Sequence, residues 1–215
     1  MTPVVAVCDY GVGNLRSVER ALLAAGADVR VTTDAAVLES ADGVILPGVG
    51  AFGAAAAALD ERGLARAISA AAAAGKPVLG VCLGHQLLFD SSEESASLRG
   101  LGLLRGRVER LHPAPGKVPH IGWNRLEIVR RVRLLDGVES GCFAYFVHSY
   151  AALAEPADVA AVTDHGGSIA AVVAHANVMG VQFHPEKSGA AGLRLYANFV
   201  AMCRAPLAAA QRSAA

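Results

Sequence analysis

Residues 77–86 read Pro-Val-Leu-Gly-Val-Cys-Leu-Gly-His-Gln, and the reading of this stretch decides the fold. Pro77 to Val81 carries no polar side chain, as expected of a central strand covered on both faces of a parallel sheet. The residues after Cys82 open a helix. Cys82 therefore stands at a sharp strand-to-helix turn, where Gly80 and Gly84 let the backbone bend tightly. Upstream the same alternation repeats. Val4 to Val7 reads as a strand ending in the Gly-rich turn Asp9-Tyr10-Gly11-Val12-Gly13-Asn14, and a helical pattern runs through Leu15, Val18, Leu22 and Leu23 to a stop at Gly26. Val29 to Thr32 and Gly43 to Leu46 are the next strands, the latter ending in Pro47-Gly48-Val49-Gly50. The alanine-rich stretch from Ala54 to Ala74 is helical by propensity, with a break expected at Gly63. The first 90 residues are thus βαβ units.

Beyond Asp90 the pattern changes. Ser91 to Gly102 is polar, whereas Leu104 to Leu111 and Leu126 to Arg133 alternate basic and apolar residues as half-exposed strands do. Pro113 to Trp123 between them suits an ordered loop. Cys142 to Ser149, Val159 to Thr163, Ser168 to Ala174 and Val178 to Val181 are further strands, and a last helix spans about Ala190 to Cys203. The fold class expected is α/β: a mostly parallel, doubly wound sheet with helices on both faces and antiparallel additions in the second half. With no internal repeat and no flexible linker, a single domain over 1–205 is expected, and a frayed tail over 206–215.

Composition narrows the function classes. A chain of 215 residues buries roughly 70% of its unfolded surface and needs no staples to hold a core. Nineteen Lys plus Arg balance nineteen Asp plus Glu, so no global field draws the chain to nucleic acid or anionic lipid. Alanine lifts the mean hydropathy above zero, but the uncharged stretch from Gly166 to Phe183 is broken by Ser168, His175, Asn177 and Gln182. It is no membrane span. The start, MTPVVAVCDY, has no basic leader, and Cys8, Cys82, Cys142 and Cys203 form no C-x-x-C pair, which leads to the expectation of a reduced, cytoplasmic location.

The chemistry gathers at three strand ends. Cys82 is placed as a nucleophile, with helix N–H groups just beyond it. Read in isolation it is a buried structural cysteine, and the flanking glycines and the helix beyond it favour the nucleophile. Gly180-Val181-Gln182-Phe183-His184-Pro185-Glu186-Lys187 supplies a base: Pro185 biases His184 to extended geometry, and Glu186 is placed to accept its second imidazole N–H. In isolation these two are a surface pair or part of a metal site. Gly48-Val49-Gly50 can point a backbone N–H into the same crevice, where with the Leu83 N–H it makes a two-donor oxyanion hole. Gly11 and Gly13 give G-x-G without the following G-x-x-G spacing, and no phosphate loop is present, so neither NAD nor ATP is expected and no cofactor or metal is assigned.

These residues resemble the class I, triad-type glutamine amidotransferases. GVCLGHQ at 80–86, HPE at 184–186 and PGVG at 47–50 carry the class, while DYGVGNLRS at 9–17, PHIGWN at 119–124, YFVHSY at 145–150 and GVQFHPEKS at 180–188 are similar to its glutaminase subunits of imidazole glycerol phosphate synthase. The resemblance covers all but about the last ten residues. It implies Cys82 as nucleophile toward the glutamine amide, His184 as base and Glu186 as its orienting partner. It further implies Val49 and Leu83 as backbone oxyanion donors, with a Val49 peptide that must flip before the hole forms, and Gly50 and Gln86 at the glutamine site. Asn14, Trp123 and Lys187 would face a (βα)8-barrel cyclase subunit. Ammonia passed to that subunit would yield imidazole glycerol phosphate and AICAR, a step of histidine biosynthesis, in an expected one-to-one heterodimer.

Some residues keep two readings. Trp123 is an interface anchor or a core tryptophan, and His148 with Tyr150 lines the route near the interface or is structural. His85 stands where the subfamily more often has methionine. The alternatives to this activity are the glutaminase of another synthase, a stand-alone γ-glutamyl or cysteine hydrolase active without a partner, and a non-catalytic scaffold. The scaffold must treat three strand-end motifs as coincidence.

Overall fold

The computed structural model describes residues 1–113 and 116–204; the expected frayed tail at 206–215 lies outside the described residues. In the first half, strands β1 (Val4–Cys8), β2 (Asp28–Thr32), β3 (Gly43–Leu46) and β4 (Val78–Val81) alternate with helices α1 (Leu15–Ala24), α2 (Ala35–Ser40), α3 (Phe52–Glu61), α4 (Leu64–Ala73) and α5 (Leu83–Leu87). The second half carries β5 (Gly106–Arg110), β6 (His120–Arg125), β7 (Glu127–Ile128), β8 (Phe143–His148), β9 (Tyr150–Ala154), β10 (Val159–Asp164), β11 (Ser168–His175) and β12 (Val178–Val181), then α6 (Gly189–Cys203).

Eight strands form one sheet in the order β2-β1-β3-β4-β12-β11-β10-β7. The pairs from β2 through β12 are parallel, and those from β12 through β7 are antiparallel. This is the doubly wound sheet with antiparallel additions that the sequence predicts. Successive strand residues point to opposite faces, so apolar runs feed two cores. Val5, Val7, Ile45, Leu79 and Val181 pack beneath α1 and α6 with Leu22, Leu195 and Phe199. Ala6, Cys8, Val44, Leu46 and Val78 pack on the other face against Leu38, Phe52, Ile68 and Leu87 of α2 to α5. Val78, Leu79 and Val81 are at most 1% exposed, and each such side chain contributes roughly 1.5–3 kcal/mol by leaving water.

Two expectations need correction. Pro113 to Trp123 is not all loop, because His120 already begins β6, which pairs antiparallel with β8 from His120↔His148 to Arg125↔Phe143. Pro119 and Gly122 hid an alternation in which His120 is buried while Ile121 and Trp123 are exposed. Leu126 to Arg133 supplies only the two-residue β7, since Leu134 and Leu135 turn in as a 3-10 helix to join the core. Two further elements, α2 and β9, carry no clear signal in the sequence. The first is a six-residue helix begun by Asp34, whose side chain accepts from the Ala36 N–H, and β9 pairs with β5 outside the main sheet. Gly63, at φ 68°, divides α3 from α4 as expected.

Because β3, β4 and β12 are parallel, their carboxyl ends share one edge of the sheet. Gly48, Cys82 and His184 follow those three ends, and such an edge is where open α/β sheets bind ligands.

Candidate active site

Cys82 joins β4 to α5 with φ 54° and ψ −109°, a conformation that only glycine adopts without strain. The turn is enforced from both sides. A Cβ on Gly84 would lie 1.7 Å from the Leu46 carbonyl oxygen, and one on Gly80 2.5 Å from the Gly84 oxygen, so α5 sits directly on the backbones of β3 and β4. The Cys82 N–H donates to the Val181 carbonyl at 2.8 Å, locking the elbow to the end of β12. Its thiol faces the Val147 carbonyl of β8 at 4.0 Å. One expectation weakens here: α5 has only five residues, and so short a helix carries little macrodipole toward Cys82.

His184 leaves β12 in the extended geometry expected before Pro185, with φ −99° and ψ 99°. The 3-10 turn Pro185–Lys187 swings Glu186 back, and the His184 Nδ1–H donates to Glu186 Oε1 at 2.8 Å. The Tyr196 hydroxyl donates to Glu186 Oε2 at 3.5 Å; burial, then Glu186, hold its pKa well above 10, so it keeps its proton. The side chains of His184 and Glu186 are 4% and 2% exposed. With Nδ1 committed to Glu186, Nε2 is left as the basic nitrogen; it is buried with no hydrogen-bond partner among the described residues. Burial opposes a charge on this ring, but the nearby charge of Cys82 and the charge and hydrogen bond of Glu186 outweigh it and raise the His184 pKa from 6.5 to about 9.

A cavity of about 340 Å³ opens over Cys82, walled by Val49, Gly50, Leu83, Gln86, Val147, His148 and Tyr150 among others. Glu94, from the polar stretch after Asp90, also lines it, and its Oε2 accepts the Phe52 N–H at the start of α3 at 2.8 Å. No local motif marked it. The candidate oxyanion donors are not both turned inward. The Leu83 N–H donates to the Gly48 carbonyl at 3.3 Å, and a trans peptide directs its N–H opposite to its C=O, so the Val49 N–H points away.

The residues expected to face a partner lie on the surface. Trp123 is 56% exposed, which excludes a core tryptophan, and meets the Tyr145 ring edge-on at 6.0 Å between centroids. Lys187 Nζ lies 5.4 Å from the same ring. Asn14, also exposed, precedes α1, which contacts the turn carrying Lys187.

His85 is fully buried against Phe89, and neither ring nitrogen has a partner among the described residues. Burial, then His148, lowers its pKa from 6.5 to about 3. The unfolded chain therefore takes up a proton below pH 6.5 that the folded chain refuses until about pH 3, and stability contributed by this site falls as pH drops through that window. His85→Met removes two unpaired buried nitrogens and one linked proton. It is expected to stabilise the fold by about 1–3 kcal/mol and to flatten the loss of stability between pH 6 and 4, as denaturant titrations at several pH values would register. Glutamine turnover should stay within a fewfold; a loss near the two to four decades of a lost general acid or base would assign His85 to the chemistry.

A family model described as glutamine amidotransferase class-I matches residues 6–203. The chain is 50% identical over 196 residues to imidazole glycerol phosphate synthase subunit HisH of Symbiobacterium thermophilum, covering 91% of this chain and 92% of that protein. It is 50% identical over 204 residues to the same subunit of Methanothermobacter thermautotrophicus, covering 94% and 100%. Among solved structures, one titled as PurLQS from Thermotoga maritima superposes with a TM-score of 0.75 at 25% identity, covering 94% of this chain and 99% of the other. A crystal structure of glutamine amidotransferase superposes equally well, with a TM-score of 0.75 at 22% identity and the same coverage.

Proposed function

The chain belongs to the class-I glutamine amidotransferase family, and from that premise we propose that Cys82, His184 and Glu186 are its catalytic residues. It hydrolyses glutamine to glutamate and ammonia and serves as the glutamine amidotransferase subunit of an imidazole glycerol phosphate synthase, in histidine biosynthesis. The observation that carries the catalytic assignment is the division of labour on His184: Nδ1 is tied to buried Glu186, which leaves Nε2 free to serve Cys82.

In this reading His184 Nε2 takes the Cys82 thiol proton, and the sulfur attacks the side-chain amide carbon of glutamine bound in the cavity. The imidazolium, held by Glu186, returns the proton to the departing nitrogen, so ammonia leaves and a γ-glutamyl thioester remains. Water, deprotonated by Nε2, then attacks the thioester, the C–S bond breaks, and glutamate and the thiol are released. Both steps pass through an oxyanion. Stabilising it requires the Gly48–Val49 peptide to turn over, which frees the Leu83 N–H from the Gly48 carbonyl and brings the Val49 N–H inward. Gly48 and Gly50 on either side make that rotation sterically cheap. Gly50 and Gln86 contribute to holding the glutamine.

The partner receiving the ammonia is a (βα)8-barrel cyclase that makes imidazole glycerol phosphate and AICAR, and the surface offered to it contains Asn14, Trp123 and Lys187. The expected setting is the cytoplasm. Among the described residues no helix is long and apolar enough to cross a membrane. The 1–205 segment acts as one domain. Labelled transfer tests the reading: with glutamine carrying 15N in its side-chain amide and unlabelled ammonium outside, the product ring formed by the complex should acquire the label. Unlabelled product, its ring nitrogen drawn only from the external ammonium, would overturn ammonia supply by this subunit.

A further inference from the structure

Asn124 begins a chain of hydrogen bonds whose every direction is fixed. Its Oδ1 accepts the Arg125 N–H at 2.8 Å and its Nδ2 donates to the Asp164 carbonyl at 2.7 Å, so the orientation of the amide is settled. The second Nδ2 hydrogen goes to His120 Nε2 at 3.1 Å, which must be unprotonated to accept it. The proton of a neutral His120 is then on Nδ1, which donates to His148 Nε2 at 3.0 Å. His148 in turn carries its proton on Nδ1 and gives it to the Tyr150 carbonyl at 2.8 Å, a group that can only accept. From the other side the same carbonyl accepts Gln86 Nε2 at 2.9 Å, and the remaining Gln86 amide hydrogen goes to Gln182 Oε1 at 3.2 Å. Gln86 therefore has only its Oε1 left for the cavity that it lines.

We propose that His120 and His148 are positioning residues for glutamine binding: as neutral Nδ1–H tautomers they connect Asn124 to the Tyr150 carbonyl and so hold Gln86 with its oxygen presented to the substrate. The proposal rests on the glutaminase reading above and extends it to residues beyond the triad. A carboxamide with both hydrogens engaged offers the bound amino acid an acceptor only, which suits an α-ammonium group. Protonating either imidazole would set a donor against a donor and break the chain. The titratable groups facing the pair are His165, stacked on His120 at 4.2 Å, together with His85 and His184 beside His148. Burial is the main cause that lowers both pKa values to about 4, in keeping with rings that stay neutral.

Two measurements test this on the full chain in complex with its synthase partner. In steady-state kinetics, His120→Ala should raise KM for glutamine roughly three- to tenfold, the worth of one hydrogen bond, with kcat within about threefold of the parent. His120→Gln, which keeps one donor and one acceptor, should recover most of that loss. In 15N spectra of the histidine-labelled parent, two imidazoles should be Nδ1–H tautomers and stay neutral to pH 5. Nε2–H tautomers at these positions, or an unchanged KM in His120→Ala, would overturn the proposal. A parent complex that forms no glutamate would instead overturn the glutaminase reading on which it rests.

Discussion

Replacing Cys82 with alanine is expected to reduce glutamine hydrolysis by about four decades or more, because no neighbouring group replaces the lost nucleophile. Ser188, in the turn that follows His184, is already engaged: its Oγ donates to the His184 carbonyl at 2.6 Å and accepts the Tyr145 N–H at 3.0 Å. The fold and the partner surface should persist, since alanine retains the Cβ and backbone of the elbow, and Trp123 and Lys187 touch Tyr145 rather than Cys82. Glutamate release, thermal midpoint and partner association measured on one preparation separate the possibilities. Residual turnover above about 1% of the parent would remove Cys82 from the role assigned to it.

Gly84→Ala should have the largest structural effect of any single methyl group near the site. The new Cβ would stand 1.7 Å from the Leu46 oxygen, and that oxygen belongs to the backbone of a central strand, which cannot swing aside as a flexible side chain does. Either α5 lifts or β3 shifts. Overpacking of a close-packed interior costs about 1–3 kcal/mol and more where backbone must move, so a loss of at least about 3 kcal/mol is expected. The folded fraction should also lose activity, because lifting α5 displaces Leu83, Gln86 and the Cys82 elbow together. Gly50→Ala is the contrast. Nothing lies within 4 Å of the position its Cβ would take, so its penalty is confined to the backbone strain of φ 98°. Chemical denaturation of the two variants should rank Gly84→Ala well below Gly50→Ala, and equal midpoints would refute the close-approach explanation.

Much of the fold is legible because it is written in apolar runs. Val44 to Leu46 and Val78 to Val81 have no polar residue, and a run of that kind is stable only as a strand buried on both faces, which in turn requires helices on both sides. The reading is weaker where tertiary partners decide. Leu126 to Arg133 alternates like a strand, yet only Glu127 and Ile128 pair, because Leu134 and Leu135 gain more by turning into the core. Pro119 just before β6 and Gly122 within it look like loop residues, and the pairing of His120 to Arg125 with β8 overrides that signal. The same division holds at the site. Cys82, His184 and Glu186 announce themselves through short local patterns, whereas Glu94 reaches the cavity from a stretch with no pattern, and the His120–His148 contact spans 28 residues that no local rule connects. The conformation of the Gly48–Val49 peptide is likewise a matter of one backbone rotation rather than of residue type.

In the proposed function Cys82 and His184 act as nucleophile and base, while the oxyanion donors wait on a turn of that peptide which a partner can induce. The most direct test is the rate of glutamate formation by the purified chain alone, with its cyclase subunit, and with that subunit holding its nucleotide ligand. Freeing Leu83 and recruiting Val49 should accelerate hydrolysis by about two to three decades or more, appearing only in the liganded complex. Fast hydrolysis by the isolated chain, unchanged by subunit or ligand, would contradict a conditional oxyanion hole.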